Sequence, residues 1–402
     1  MKLAYVTIYD ARVLGTSSSN EWSGTGYYIA EAIKSRAVSL EYIGPLESNL
    51  TIEIIGKLKR HYHELFHKTY VKHVAPLLLK NYAKQVSQKL STIEPDIIFS
   101  ATVEPIAYLE CDRPIVFWAD ATFANLIDFY PQYSNLCQES INCGHRMEKL
   151  ALQKCDLAIY ASDWAAQTAI DYYQADPSKV KVVPFGANLK NERNFEQVKT
   201  LVKSRPSNKC KLLFLGVDWY RKGGDIALKI AKELNKKGLE TELTVVGCQP
   251  IVEEPLPDFV NVLGFISKSS QEGLQLIHQL ISESHFLILP SIAECYGVVL
   301  CEANSFGVPC LATKVGGIPT IIKNNVNGRL FNKNADIVEY CQYIAYFFRN
   351  YPSYEKLALS SFHEYKSRLN WSVAGQTIKK LLTSAMPFKQ PQSRYYAISS
   401  RT

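Results

Sequence analysis

Pro290-Ser-Ile-Ala-Glu294-Cys-Tyr-Gly-Val-Val-Leu-Cys-Glu302-Ala303 follows an apolar run, His285 to Leu289, that reads as a buried parallel strand, and it leads into a helix. The stretch therefore lies at the carboxyl end of a strand, where open α/β sheets bind their ligands. Two acids, Glu294 and Glu302, bracket seven residues that include Gly297. A helix start near Tyr296 would aim the amides of Tyr296, Gly297 and Val298 into a cleft, with the positive end of the helix dipole behind them. Glu294 would then sit in the loop and Glu302 about two turns into the helix, so the acids can hold different parts of one elongated anionic ligand. Alone, the same residues also fit a surface helix with two solvated acids, and the rest of the chain separates the two readings.

At 402 residues the chain exceeds the size at which single cores stop growing, which predicts two domains. Hydrophobic residues at 47% and charged residues at 21% are ordinary for a globular protein and exclude a fibre or a disordered chain. A net charge of +7 suits an anionic substrate or membrane surface, and with no basic tail or zinc-finger spacing it gives no reason to expect nucleic acid. The ten cysteines form no C-x-x-C pair and several fall inside predicted strands and helices, which reads as free thiols in a reducing cytoplasm. The apolar amino-terminal run is too short for a signal peptide, and nothing approaches the roughly 18 apolar residues of a membrane-spanning helix.

Leu3 to Ile8 reads as the first strand, and Trp22-Ser-Gly24-Thr-Gly26 opens the next helix, capped by Ser23 or Thr25. It is not a dinucleotide fingerprint, because the loop is too long and Ile29 stands where the third glycine belongs. Strands follow at Ser39–Ile43, Asp96–Ser100, Ile115–Trp118, Leu157–Tyr160 and Val180–Phe185. Asp120, just past a strand, faces the expected cleft, though an aspartate there also serves as an ordinary cap. A helical region from Ile52 to Leu90, restarted near Pro76, carries eight cations, and aromatic residues and histidines are interleaved with them. Residues 57–89 thus suit peripheral contact with anionic headgroups, the plainer reading being a solvated helix face.

The polar stretch 189–209 reads as a linker between an amino-terminal domain, 1–188, and a second one, 210–368. From Lys211 onward strands and helices alternate again, which means a parallel sheet covered on both faces. After its first strand comes Gly216-Val-Asp-Trp-Tyr-Arg221-Lys222-Gly223-Gly224, two cations and two glycines at a helix start. That is a diphosphate-binding arrangement, since Arg221 can chelate oxygens in a fork and Lys222 adds a point charge. Val315-Gly316-Gly317-Ile-Pro319 forms a further glycine-rich turn on the same sheet edge. Residues 369–402 read as a helix near Trp371 that crosses back to the first domain, followed by a poorly ordered tail from Pro387.

Taken together, Glu294 to Glu302, Arg221-Lys222-Gly223, Gly316-Gly317-Ile-Pro, Trp22-Ser-Gly-Thr-Gly and the run from Ser162 to Gly186 resemble the retaining glycosyltransferases of family 4. The resemblance implies a GT-B fold, two Rossmann-like doubly wound parallel-sheet domains facing across a cleft. It implies transfer of a sugar from a nucleotide-diphosphate donor, UDP- or GDP-linked, to a glycan, lipid-linked or small-molecule acceptor. In that family Arg221 and Lys222 would neutralise the leaving diphosphate without metal or other cofactor, and no D-x-D occurs in this chain. Glu302 would take the ribose hydroxyls and Glu294 those of the donor sugar. The amides of Tyr296, Gly297 and Val298 would hold sugar and phosphate, Gly24 would let the first domain close over the phosphates, the turn at Gly316 and Gly317 would contact the substrate, and the backbone at Gly264, Phe265 and Ile266 would read the base. Two positions depart from the family pattern. Asp120 follows a strand after which a histidine is common, and is expected to touch donor sugar or acceptor; Thr320 stands where an acid is common. A nucleotide-sugar epimerase of the same fold and a catalytically silent sugar-nucleotide-binding subunit are the competing readings. The place of action would be the cytoplasm, peripheral at the inner face of the membrane.

Overall fold

In the computed structural model, which describes residues 1–14, 22–36 and 38–385, the strands fall into two six-stranded sheets, and every pairing is parallel. The first sheet is built from β1 (Lys2–Val6), β2 (Ser39–Ile43), β3 (Ile97–Ser100), β4 (Ile115–Ala119), β5 (Leu157–Tyr160) and β6 (Val180–Val182), in the order β2-β1-β3-β4-β5-β6. The second contains β7 (Cys210–Leu215), β8 (Thr241–Val246), β9 (Val260–Gly264), β10 (Phe286–Leu289), β11 (Cys310–Thr313) and β12 (Gly328–Phe331), ordered β12-β11-β10-β7-β8-β9. The inner strands β3, β4, β5, β10 and β11 are buried along their whole length, because helices cover both faces. That is why they read in sequence as unbroken apolar runs, whereas the edge strand β9 has no fully buried residue.

Both sheets reverse direction once. In the first the chain runs from β1 to β2 and then returns to place β3 on the other side of β1; in the second it runs β7, β8, β9 and then sets β10 beside β7. Crossovers diverge at these two points, so the loops after β1 and β3, and those after β7 and β10, border open crevices at the carboxyl ends.

Residues 189–209 are not loop throughout. Asn194 and Gln197 close a capping box on the helix Phe195–Ser204, which packs against the helix Tyr351–Arg368 of the second half. The buried Arg205 donates to the carbonyls of Ser282, Phe306 and Gly307 and to the Tyr354 hydroxyl, at 2.7 to 3.0 Å. The expected cap of the first helix also differs: Thr25–Lys34 begins after Gly24, whose φ of 79° supplies the turn, and Thr25 lies inside the helix, where its hydroxyl accepts from Asn188. The helix Trp371–Ala385 lies against Thr25–Lys34, and a Cβ on Gly375 would come within 2.3 Å of the Ala32 carbonyl oxygen. The tail from Pro387 lies outside the described residues, and among those described no helix is long and apolar enough to cross a membrane.

Phe185 sits where these parts meet. Its ring is 5.1 Å from Trp118, 5.3 Å from Trp22, 5.6 Å from Trp371 and 5.2 Å from Tyr296, centroid to centroid, so one buried side chain joins both sheets and the last helix. Replacing it, Phe185→Ala, removes contacts on four sides and is expected to cost about 3–5 kcal/mol. Urea unfolding followed by far-ultraviolet dichroism reads this as a lower midpoint, and an unchanged midpoint contradicts the joining role.

Candidate active site

The crevice between β7 and β10 is shaped by close backbone approaches. Gly223, at φ 78°, faces the Pro290 carbonyl so closely that a Cβ would lie 2.1 Å from its oxygen. A Cβ on Gly316 would lie 2.0 Å from the Glu294 carbonyl oxygen, and one on Gly317 2.1 Å from that of Cys295. Two hydrogen bonds run along the same contacts: the Gly317 amide donates to the Glu294 carbonyl at 3.2 Å, and the Ile292 amide to the Arg221 carbonyl at 2.8 Å. The glycines of two motifs thus bring three loops into contact, and Gly316 and Gly317 act on the loop of Glu294.

Inside this frame Glu294 accepts from the Lys222 ammonium, and the Arg221 guanidinium stands 3.9 Å from the same carboxylate oxygen. The side chains of Glu294 and Lys222 are 9% and 12% exposed, so the pair is shielded and its attraction is far stronger than at a wet surface. Arg221 is further fixed by the Ala293 carbonyl at 3.1 Å and by Asp218, and it stacks 5.0 Å from the centroid of Tyr130. Tyr130 comes from the first half, and its hydroxyl accepts from the Cys295 amide at 2.9 Å. Glu302 lies within the helix Val298–Asn304, fully buried, and both its oxygens accept from Lys268, at 2.7 and 2.6 Å.

That helix starts two residues later than expected, with Gly297 at φ 92° as its left-handed cap. The Tyr296 side chain leaves the crevice altogether, since it is buried beside Phe185 and donates to the Phe185 carbonyl at 2.8 Å. Gly264 ends the edge strand β9 at φ 65°, Phe265 beside it is 74% exposed, and Ile266 is partly buried.

The opposite wall belongs to the first sheet. Asp120 follows β4 and accepts from the Trp22 indole N–H at 3.0 Å. Burial pushes its carboxyl up to about 6, the Trp22 hydrogen bond pulls it partly back, and the charges of Glu294 and Glu104 raise it further. Tyr9, after β1, and Thr102 and Glu104, after β3, flank the crevice of that sheet. The Tyr9 hydroxyl, Thr102 Oγ1 and Glu104 Oε2 are buried, and none of them makes a hydrogen bond within the described residues. Thr320 joins the two halves: its hydroxyl donates to the Asp163 carboxylate at 2.9 Å and accepts the Asp163 amide at 3.0 Å. An acid at 320 would face Asp163 with like charge, which gives the departure from the common residue a local reason.

The fold brings together Arg221, Lys222, Glu294, Gly316 and Gly317, with Asp120 across the cleft. The sequence reading missed Lys268, Tyr130, Tyr9, Thr102 and Glu104. Tyr130 sits in an aromatic-dense segment, Phe123 to Tyr133, directly after β4, which is a usable signal; Lys268 resembles any surface lysine.

Two parallel Rossmann-like sheets facing across such a cleft define the GT-B class of glycosyltransferase folds. Solved structures of that class cover nearly the whole chain. Sucrose-phosphate synthase from Thermosynechococcus elongatus superposes with a TM-score of 0.65 at 14% identity, over 95% of this chain and 98% of that one. Anabaena Alr3699/HepE in complex with UDP-glucose gives 0.61 at 18% identity, over 96% and 100%. Residues 176–361, under half of the chain, match the family model of the glycosyl transferases group 1. Among curated proteins, D-inositol 3-phosphate glycosyltransferase from Corynebacterium diphtheriae is 21% identical over 272 residues, 63% of this chain and 62% of that protein. The chain spans less than two thirds of the length of curated relatives that it matches.

Asp120 yields a pH test. Its folded pKa lies above the free value of 3.8, so its contribution to stability is complete below the free value and is lost as pH rises through about 6. Asp120→Asn keeps an acceptor for Trp22 and carries no buried charge. Its melting temperature is therefore expected to match that of the parent near pH 4 and exceed it at pH 8, where the variant is more stable by roughly 3 kcal/mol. Parallel melting curves for the two proteins across that range contradict the assignment.

Proposed function

We propose that the protein is a glycosyltransferase of the retaining family 4 type, which moves a sugar from a nucleotide-diphosphate donor to a hydroxyl of a glycan, lipid-linked or small-molecule acceptor, without metal. The observation that carries the reading is the shielded set Arg221, Lys222 and Glu294 at the second sheet's crevice, faced by Asp120 from the first.

As the glycosidic bond to the diphosphate breaks, negative charge grows on the leaving phosphate. Lys222 and Arg221 are already oriented there, in a site with little water, where fixed cations lower the barrier most. A donor seated between them exchanges the Lys222–Glu294 contact for two new ones, phosphate on Lys222 and sugar hydroxyls on Glu294. Glu302, held in place by Lys268, takes the ribose hydroxyls. The base lies against Gly264, Phe265 and Ile266, and the exposed Phe265 ring offers a stacking face. Retention follows if the acceptor attacks from the side the phosphate leaves, with the phosphate taking the acceptor's proton. The acceptor hydroxyls meet Asp120 and the unengaged polar atoms of Tyr9, Thr102 and Glu104.

UDP-linked donors rank ahead of GDP-linked ones, since a protein of the same fold has been solved with UDP-glucose. A lipid-linked acceptor would put the enzyme at the inner face of a membrane.

Purified protein is expected to transfer or hydrolyse sugar from such a donor in the presence of chelator. Lys222→Ala should lower kcat by on the order of 100-fold or more, and Glu302→Ala should mainly raise the KM for donor. Normal turnover in both variants sinks the proposal. A melting-temperature screen of UDP, GDP and ADP identifies the base, because only a nucleotide that binds the native fold raises the midpoint.

A further inference from the structure

The loops that leave the carboxyl ends of β1 to β5 are lopsided in charge. Residues 7–21, 44–49, 101–106, 120–137 and 161–163 hold seven aspartates and glutamates and one basic residue, Arg12. Arg12 is exposed and engaged by its neighbour: its Nε donates to Asp10 Oδ1 at 2.9 Å and its Nη2 to Oδ2 at 3.2 Å. These loops therefore bring acids to the cleft and no unpaired cation.

Glu104 and Asp120 stand half-buried at the ends of neighbouring strands, β3 and β4. Tyr9 joins them from β1, packed so closely on Gly26 that a Cβ there would lie 2.4 Å from the Tyr9 hydroxyl oxygen. Burial, and then the charges of Glu104 and Asp120, raise the pKa of that hydroxyl, so it keeps its proton. Tyr133 is raised in turn by burial, Glu104, Cys295 and Asp120, which sets it between the two walls. Its hydroxyl lies 3.0 Å from His73 Nε2, and burial lowers the His73 pKa against the pull of Glu104, which favours the neutral ring. Lys72, the cation beside His73, is taken by Glu53 at 2.6 Å.

Glu104 Oε2, Thr102 Oγ1 and the Tyr9 hydroxyl have no hydrogen-bond partner within the described residues. They offer a carboxylate acceptor, a phenolic donor and a hydroxyl that does either. A sugar hydroxyl also donates and accepts, so a ring with adjacent hydroxyls answers this set. A phosphate or carboxylate answers the donors alone and meets the acids at like charge. At an effective dielectric of about 20, one unit charge roughly 6 Å from a carboxylate weakens binding on the order of 100-fold.

We propose that the first sheet's crevice selects an acceptor whose attacked sugar residue carries no phosphate or carboxylate, with Glu104 and Asp120 as the residues that exclude anions. The hydroxyls of that residue meet Tyr9, Thr102 and the same two acids. A phosphate elsewhere on a longer acceptor lies outside the crevice and is unaffected. The inference rests on the transferase reading above and narrows its acceptor.

The experiment is calorimetric titration of the full chain with glucose, galactose and myo-inositol, and with a phosphate monoester of each. No donor is present, so binding is read apart from turnover; hydrolysis of a UDP-sugar without acceptor reads the transferase assignment, and either can fail alone. At least one neutral sugar is expected to bind, and tenfold or more tightly than its ester, with the ratio narrowing as salt is raised. In Glu104→Gln with Asp120→Asn the ratio should fall to within about twofold, because the like charge is gone. The ratio is taken within each protein, so a loss of folded fraction cancels. Binding of an ester as tight as that of its parent sugar overturns the proposal. So does an unchanged ratio in the double variant, or failure of all three neutral sugars to bind.

Discussion

Three backbone approaches that admit no side chain hold the loop on which the site is built. Gly223, Gly316 and Gly317 lie against the carbonyls of Pro290, Glu294 and Cys295, at separations that a single methyl group would break. Because the loop is gripped on two sides, the Glu294 carboxylate, Arg221 and Lys222 can stand together with little water between them. The glycines contribute their missing volume, and the charged side chains take their positions from it.

Bringing like and unlike charges this close is costly unless each has a partner. Glu294 has Lys222 and Arg221, Glu302 has Lys268, and Arg221 has in addition Asp218, a carbonyl and the face of Tyr130. Asp120 is the exception, with one indole donor and a carboxyl raised by burial. Its surroundings set it apart from the two glutamates: an acid raised by burial on the first domain's wall faces an acid held by two cations on the second's. Such separation of carboxyl environments is how one cleft assigns different tasks to similar groups. The same economy of contacts links the halves, where Thr320 meets Asp163 and Tyr130 meets the Cys295 amide, so both walls are positioned by the loops that carry them.

Much of this was legible from the chain alone. Strand positions follow from apolar runs because helices cover both sheet faces, and Arg221, Lys222, Glu294 and Glu302 stand out because cations, acids and glycines cluster beside strand ends. Errors arose where local rules had competitors. The helix Phe195–Ser204 was hidden by a polar stretch whose Asn194 and Gln197 cap was readable, and Arg205 looked like linker although four acceptors bury it. Tyr296 was expected to face a ligand with its amide, and the packing of its ring on Phe185 is a side-chain placement that spacing does not reveal.

The sequence by itself determined the elements, their parallel pairing and the residue types available at each strand's carboxyl end, since period, burial and turn chemistry are local properties. The tertiary structure alone decided which loops share a crevice, because that depends on strand order: β10 returning beside β7 sets Arg221 against Glu294 across 73 residues of chain. It alone also supplied Lys268 for Glu302 and turned the Tyr296 ring away. None of these is visible in spacing, because each is a contact between segments that only packing brings together.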